Sequence, residues 1–85
     1  MYYTYILRLS NDEYYVGSTI NLRHRICEHN AGLDFYTKSK LPVTLVYFEE
    51  YPNQEEAYHR EKQIKGWSRI KKEKLISGEW TKQSK

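Results

Sequence analysis

Tyr14-Tyr-Val-Gly-Ser-Thr-Ile-Asn-Leu-Arg-His-Arg-Ile-Cys-Glu-His29 changes its hydrophobic period halfway along. The first four residues, ending on Gly17, read as a short strand, and Ser18, Thr19 and Asn21 read as turn and cap residues. From about Asn21 to Asn30 the pattern is helical, with Leu22 and Ile26 on one face. At about 100° per residue, Arg25 and His29 stand one turn apart beside that apolar stripe, whereas Arg23, His24 and Glu28 point elsewhere. A cation and an imidazole aimed at a core need partners, so the fold has to supply them.

Upstream, Tyr2 to Leu9 is rich in aromatic and β-branched residues and reads as a strand. Tyr3, Tyr5, Leu7 and Leu9 share one of its faces, and Tyr2, Thr4, Ile6 and Arg8 the other. Ser10 to Glu13 makes the turn of a hairpin that brings Tyr5 and Tyr15 near each other. Downstream, Gly32 is placed to cap the helix, and residues 33–42 form a loop carrying Tyr36, Lys38 and Lys40. Val43 to Tyr51 is a third strand, apolar enough for the centre of a sheet. Asn53, with Glu56 three residues on, starts a second helix that runs to about Lys65 and stops at Gly66. Ser68 caps a final helix through Ile76, with Gly78 after it and a fraying polar tail. The order β-β-α-β-α-α makes an α+β fold, one domain over residues 1–77 with a tail at 78–85.

At 85 residues the chain exceeds the ~40 below which disulfides or metals are usually needed for folding. Its lone cysteine, Cys27, is expected to be a small buried apolar side chain in a reducing compartment. The N-terminus lacks the basic and apolar regions of a signal peptide, and no segment approaches the ~18 apolar residues of a membrane span. A cytoplasmic protein without a membrane or an obvious protein partner is expected. Residues 1–60 carry 6 Lys and Arg against 8 Asp and Glu, whereas residues 61–85 carry 8 against 3. The basic end suits a polyanion, with nine tyrosines and two tryptophans supplying flat surface beside it.

One acid is out of place for an ordinary amphipathic helix. On the second helix Ala57 and Ile64 define the inward stripe, and Glu61 falls between them, while Arg60 and Lys62 point away. Burying an ionised carboxylate costs several kcal/mol unless it is paired or holds a metal. An ion pair with Arg25 is one reading. The other is a ligand for a hard cation such as Mg²⁺, which keeps most of its waters and adds one or two carboxylates and a substrate phosphate. Tyr5, Tyr15, Arg25, His29 and Glu61 thus form an inward polar set, and clustered titratable groups of this kind define a candidate site.

With these residues placed, the chain resembles the GIY-YIG nuclease superfamily, in particular its short stand-alone bacterial members of the YhbQ/YazA type. Tyr3-Thr4-Tyr5 stands where the GIY element belongs and Tyr15-Val16-Gly17 where YIG belongs, with Arg25, His29 and Glu61 following at the family's intervals. Tyr3 and Thr4 replace the glycine and isoleucine of the first motif, and an asparagine that many relatives carry after the glutamate has no clear equivalent. The resemblance implies a three-stranded antiparallel sheet flanked by helices. It also implies single-metal hydrolysis of phosphodiesters, with Glu61 holding Mg²⁺ or Mn²⁺ and Arg25 stabilising the transition state. Tyr5 is then the favoured base, with Tyr15 positioning the water and His29 completing the proton network. A free tyrosine needs about 3 pKa units, roughly 4 kcal/mol, to ionise at neutrality, so transfer toward His29 is the competing route.

The implied activity is a metal-dependent DNA endonuclease of little sequence specificity, with single-stranded and branched DNA as candidate substrates. Lys38, Lys40, Lys65, Arg69, Lys71 and Lys72 are the candidate nucleic-acid contacts, and no recognition helix accompanies them. The alternatives are a non-catalytic nucleic-acid-binding module and an interaction protein whose polar cluster is an ion-pair network.

Overall fold

A computed structural model describes residues 1–78, so of the expected polar tail only Gly78 falls within the described residues. The elements are β1 (Tyr2–Arg8), β2 (Tyr14–Thr19), α1 (Leu22–Asn30), β3 (Thr44–Tyr51), α2 (Gln54–Lys65) and α3 (Arg69–Ser77), in the order expected. The strands form one antiparallel sheet ordered β2-β1-β3. The first strand, not the third, is therefore central. The reason lies in β1: four consecutive residues, Thr4 to Leu7, are buried, which requires cover on both faces. β3 leaves Thr44, Phe48 and Glu50 exposed, as an edge strand tolerates.

The alternation of β1 divides the core in two. Tyr5, Leu7 and Leu9 pack with Tyr15, Val43, Leu22 and Ile26 on the α1 side. Ile6 packs with Val16, Ile64, Leu75 and Trp67 on the side of α2 and α3. Thr4 reinforces the second layer by donating its hydroxyl to the Ala57 carbonyl of α2 at 2.7 Å.

Local signals set the helix ends. Asn21, Asn53 and Ser68 each cap a helix by accepting a backbone N–H three residues on, from His24, Glu56 and Lys71. At the end of α1, Gly32 takes φ +81°, its N–H reaching the His29 carbonyl while Leu33 N–H reaches Glu28, a paired closure that needs a left-handed residue. α1 has only nine residues, too few to persist alone, so its stability comes from docking Leu22, Ile26 and His29 on the sheet.

Three expectations change. β2 continues through Ser18 and Thr19, so these are strand residues and Ser18 takes the face opposite Gly17. Cys27 is exposed, because it lies one helical step past Ile26 and is rotated off the inward stripe. Arg60 does not point away into water. It turns back to Glu49 on β3, donating from Nε and Nη2 at 2.9 and 3.1 Å.

Glu49 is buried, and its carboxylate also accepts the hydroxyls of Tyr47 and Tyr51. Burial alone would raise its pKa, but the hydrogen bonds from Arg60, Tyr47 and Tyr51 outweigh this and hold it below the usual carboxylate value. Its stabilising contribution is therefore complete above pH 4.5 and is lost as pH falls through the depressed value. Arg60→Ala strands this buried charge and is expected to cost about 3 kcal/mol in denaturant titrations at neutral pH. The deficit should narrow as acid allows Glu49 to protonate, and a pH-independent deficit would show that the carboxylate is not its source.

Candidate active site

Gly17 sits opposite Tyr5 in the β1–β2 register. A Cβ added to it would lie 2.6 Å from the Tyr5 hydroxyl oxygen and 2.8 Å from Cζ. The glycine is thus required by space: it admits a tyrosine hydroxyl against the backbone of β2. That hydroxyl, on a side chain only 1% exposed, forms a 3.3 Å hydrogen bond with Nε2 of His29. His29 Nδ1 shares a 2.8 Å bond with the hydroxyl of Thr37, itself fully buried. Tyr15 packs edge-on against the same imidazole, with ring centroids 5.1 Å apart.

Arg25 completes this face. Its Nη1 donates to Glu28 at 3.1 Å and its Nη2 to Asp34 at 2.7 Å. The ion pair with Glu61 is not formed, and Glu28, expected to point elsewhere, folds back along α1 to reach Arg25. Burial opposes the charge of Arg25, but its bonds to Tyr5 and Glu28 prevail and raise its pKa above the arginine norm. Asp34 also accepts the backbone N–H groups of Tyr36 and Thr37 with its other oxygen. One carboxylate therefore orients the guanidinium and folds the loop that delivers Thr37 to His29.

Glu61 reaches the site from the opposite face of the sheet, on α2. Ser18 donates its hydroxyl to Oε1 at 2.7 Å and Lys65 its ammonium to Oε2 at 2.9 Å. Adjacent residues of an edge strand thus tie down the two halves: Gly17 admits Tyr5, and Ser18 holds Glu61. The halves interact electrostatically, since Glu61 adds to the burial that pushes Tyr5 up to about 12. His29 moves the other way, its pKa lowered mainly by burial and further by Arg25, so the ring is neutral at pH 7.

Among the described residues no three His, Cys, Asp or Glu side chains converge as a ready-made metal cage. Glu61 is a single anchored carboxylate with a cation already on its second oxygen. That donor set fits a hydrated hard cation that completes its shell with substrate phosphate, and does not fit a structural metal.

The expected nucleic-acid contacts separate into groups. Lys65 and Lys72 border a cavity beside Tyr15, and Lys40 lies 4.2 Å over the ring of Tyr36, which stacks on Tyr15. Arg69 covers Tyr14 and bonds to Glu73 and the Asp12 carbonyl, while Lys71 lies over Trp67 and Lys38 over Phe35. Sequence reasoning did not find Ser18, Asp34 or Thr37. Asp34 and Thr37 have the Asp-x-x-Thr spacing of a side-chain-capped turn, but nothing local links that turn to Arg25 and His29.

A family model described as the GIY-YIG catalytic domain matches residues 1–74. A UPF0213 protein of Natronomonas pharaonis is 39% identical over 92% of this chain and 93% of its own length. One of Staphylococcus haemolyticus is 43% identical over 88% and 93%. The solution NMR structure of UPF0213 protein BH0048 from Bacillus halodurans has a TM-score of 0.59 at 38% identity, covering 91% of this chain and 84% of that one.

Gly17→Ala tests the close approach on β2. The new methyl must expel the Tyr5 ring from its place beside His29, and an overpacked core residue of this kind costs about 1–3 kcal/mol. Chemical denaturation should show that loss together with a shifted His29 ring resonance. A variant as stable as wild type would mean that the strands have room the contact does not show.

Proposed function

The chain belongs to the GIY-YIG family, whose domain carries nuclease-type function on DNA, and on that premise we propose a specific activity. It is a divalent-metal-dependent endonuclease that hydrolyses DNA phosphodiester bonds with little sequence preference, acting on single-stranded and branched DNA from one domain spanning residues 1–77. The observation that carries this reading is the meeting of Tyr5, His29 and Arg25 from one face of the sheet with Glu61 from the other, at Gly17 and Ser18.

Glu61 is the residue to hold Mg²⁺ or Mn²⁺, exchanging Lys65 for it. Bound there, the ion would act as a Lewis acid on the scissile phosphate and neutralise charge on the leaving oxygen. Arg25 is pre-aimed by Glu28 and Asp34, so its remaining N–H groups meet the charge that develops on the phosphoryl oxygens without reorganising first. Tyr15 packs on His29 and shapes the space in which the attacking water sits.

The 3.3 Å bond between the Tyr5 hydroxyl and His29 Nε2, with the opposite pKa shifts of the two groups, supports a proton route through both. With Tyr5 near 12, a free tyrosinate at pH 7 costs about 7 kcal/mol, more than a resting base can carry. Neutral His29 is a ready acceptor bonded to that same hydroxyl. Tyr5 therefore takes the water's proton while passing its own to Nε2 of His29, so no tyrosinate accumulates. This route needs the tautomer with the proton on Nδ1, which then donates to Thr37.

Labelled single-stranded, duplex and flap DNA should be cut by wild type with Mg²⁺ or Mn²⁺ and left intact in EDTA. Glu61→Ala is expected to lose more than the roughly 100-fold typical of outer-shell partners. DNA binding without cleavage under any of these conditions would favour the non-catalytic binding module instead. The acid limb of the kcat profile should lie below 6.5, because His29 accepts a proton only while neutral and its pKa is depressed. Tyr5→Phe should lower kcat far more than it raises KM. A limb above 6.5 would remove His29 as the acceptor.

A further inference from the structure

The cavity beside Tyr15, about 200 Å³, is walled by Tyr14, Tyr15, Val16 and Tyr36 and rimmed by Lys65 and Lys72. The stacked rings of Tyr15 and Tyr36 beside a small opening, with two ammonium groups among its lining residues, match a flat aromatic ligand that carries negative charge. The cavity adjoins the site at two points. Tyr15 packs edge-on against His29, and Lys65 bonds to Glu61. Next in sequence to Tyr36, on the loop after α1, Phe35 is 86% exposed with Lys38 5.2 Å over its ring. A phenyl ring held in water contributes nothing to folding, and Phe35 belongs to neither core cluster.

Resting on the nuclease reading, we propose that this surface binds an unpaired segment of the substrate strand. One nucleobase enters the cavity beside Tyr15 and Tyr36, and its neighbour stacks on Phe35. Lys38, Lys40 and Lys72 take the phosphates between and beside them. Stacking reads the π-face that every base shares, which suits a chain with no recognition helix. In duplex DNA both faces of a base are already stacked, so this surface selects against it. The lysines now resting over Phe35 and Tyr36 make exposed cation–π contacts, which a stacked base displaces, leaving each ammonium to turn to a phosphate.

The test compares wild type, Phe35→Ala, Tyr36→Ala and Tyr36→Phe on a labelled single strand and on the same strand with abasic sites flanking the cut. Each alanine variant should raise KM about tenfold on the intact strand with little change in kcat, and Tyr36→Phe, which keeps the ring, should recover most of the Tyr36→Ala loss. On the abasic strand the difference between wild type and the alanine variants should vanish. Equal losses on both strands, or no loss from either alanine variant, overturn the proposal. If wild type cuts no DNA, the nuclease reading fails separately, and 2-aminopurine placed in the single strand decides this one. Fluorescence quenched by wild type and not by the alanine variants supports the stacking surface. Quenching that is absent, or unchanged by both substitutions, overturns it. Phe35→Ala is the guard against misfolding, since its side chain touches neither core.

Discussion

Strand β1 has a helical layer against each face, so the hydroxyls of Thr4 and Tyr5 have no water to bond to and must be satisfied from those layers. Thr4 does so by docking on the α2 backbone, and Tyr5 by meeting His29 of α1. Each polar group thereby pins one helix to the sheet. The Tyr5 bond is possible only because β2 offers a glycine opposite it. Core formation and assembly of the polar cluster are linked, because Tyr5, a member of the α1-side core, also bonds to His29.

Two buried glutamates show how environment separates structure from chemistry. Glu49 accepts two tyrosine hydroxyls and a two-pronged contact from Arg60, so no lone pair is left for a ligand without dismantling the network. Glu61 has a single hydroxyl donor and one lysine whose side chain is 54% exposed and free to swing away at little cost. The first is a clamp between β3 and α2, and the second keeps a partner that can be exchanged. Asp34 is intermediate: it accepts three hydrogen bonds, and what it holds is Arg25 and the loop of Thr37, so its structural role positions the polar cluster.

The position of Glu61 explains why a domain this small can assemble a site at all. Helices on both faces would normally keep their side chains apart, with the sheet between them. β2 is an edge strand, so side chains from both faces come together past it, and Gly17 keeps the crossing open. The stacked Tyr15 and Tyr36 rings border the same edge, with Lys65 of α2 and Lys72 of α3 beside them.

Much of this was written locally. Strand alternation assigned Tyr5 and Thr4 to opposite faces, Asn21, Asn53 and Ser68 marked the helix starts, and helical phase turned His29 and Glu61 inward. These signals act over one or two turns of chain, so residues a few positions apart suffice to read them. Which strand is central, and that Arg25 meets Asp34 and Arg60 meets Glu49, depended on contacts between distant segments. Arg25 pairs with Asp34 because the loop after α1 folds back over it, and Glu61 pairs with Lys65 one turn on along α2 and with Ser18 of β2. Periodicity chose which residues point inward and the pairs one turn apart, Glu61–Lys65 and Arg25–Glu28, whereas the tertiary structure chose the pairs between segments, Arg25–Asp34 and Arg60–Glu49, because those depend on distance in space and not along the chain.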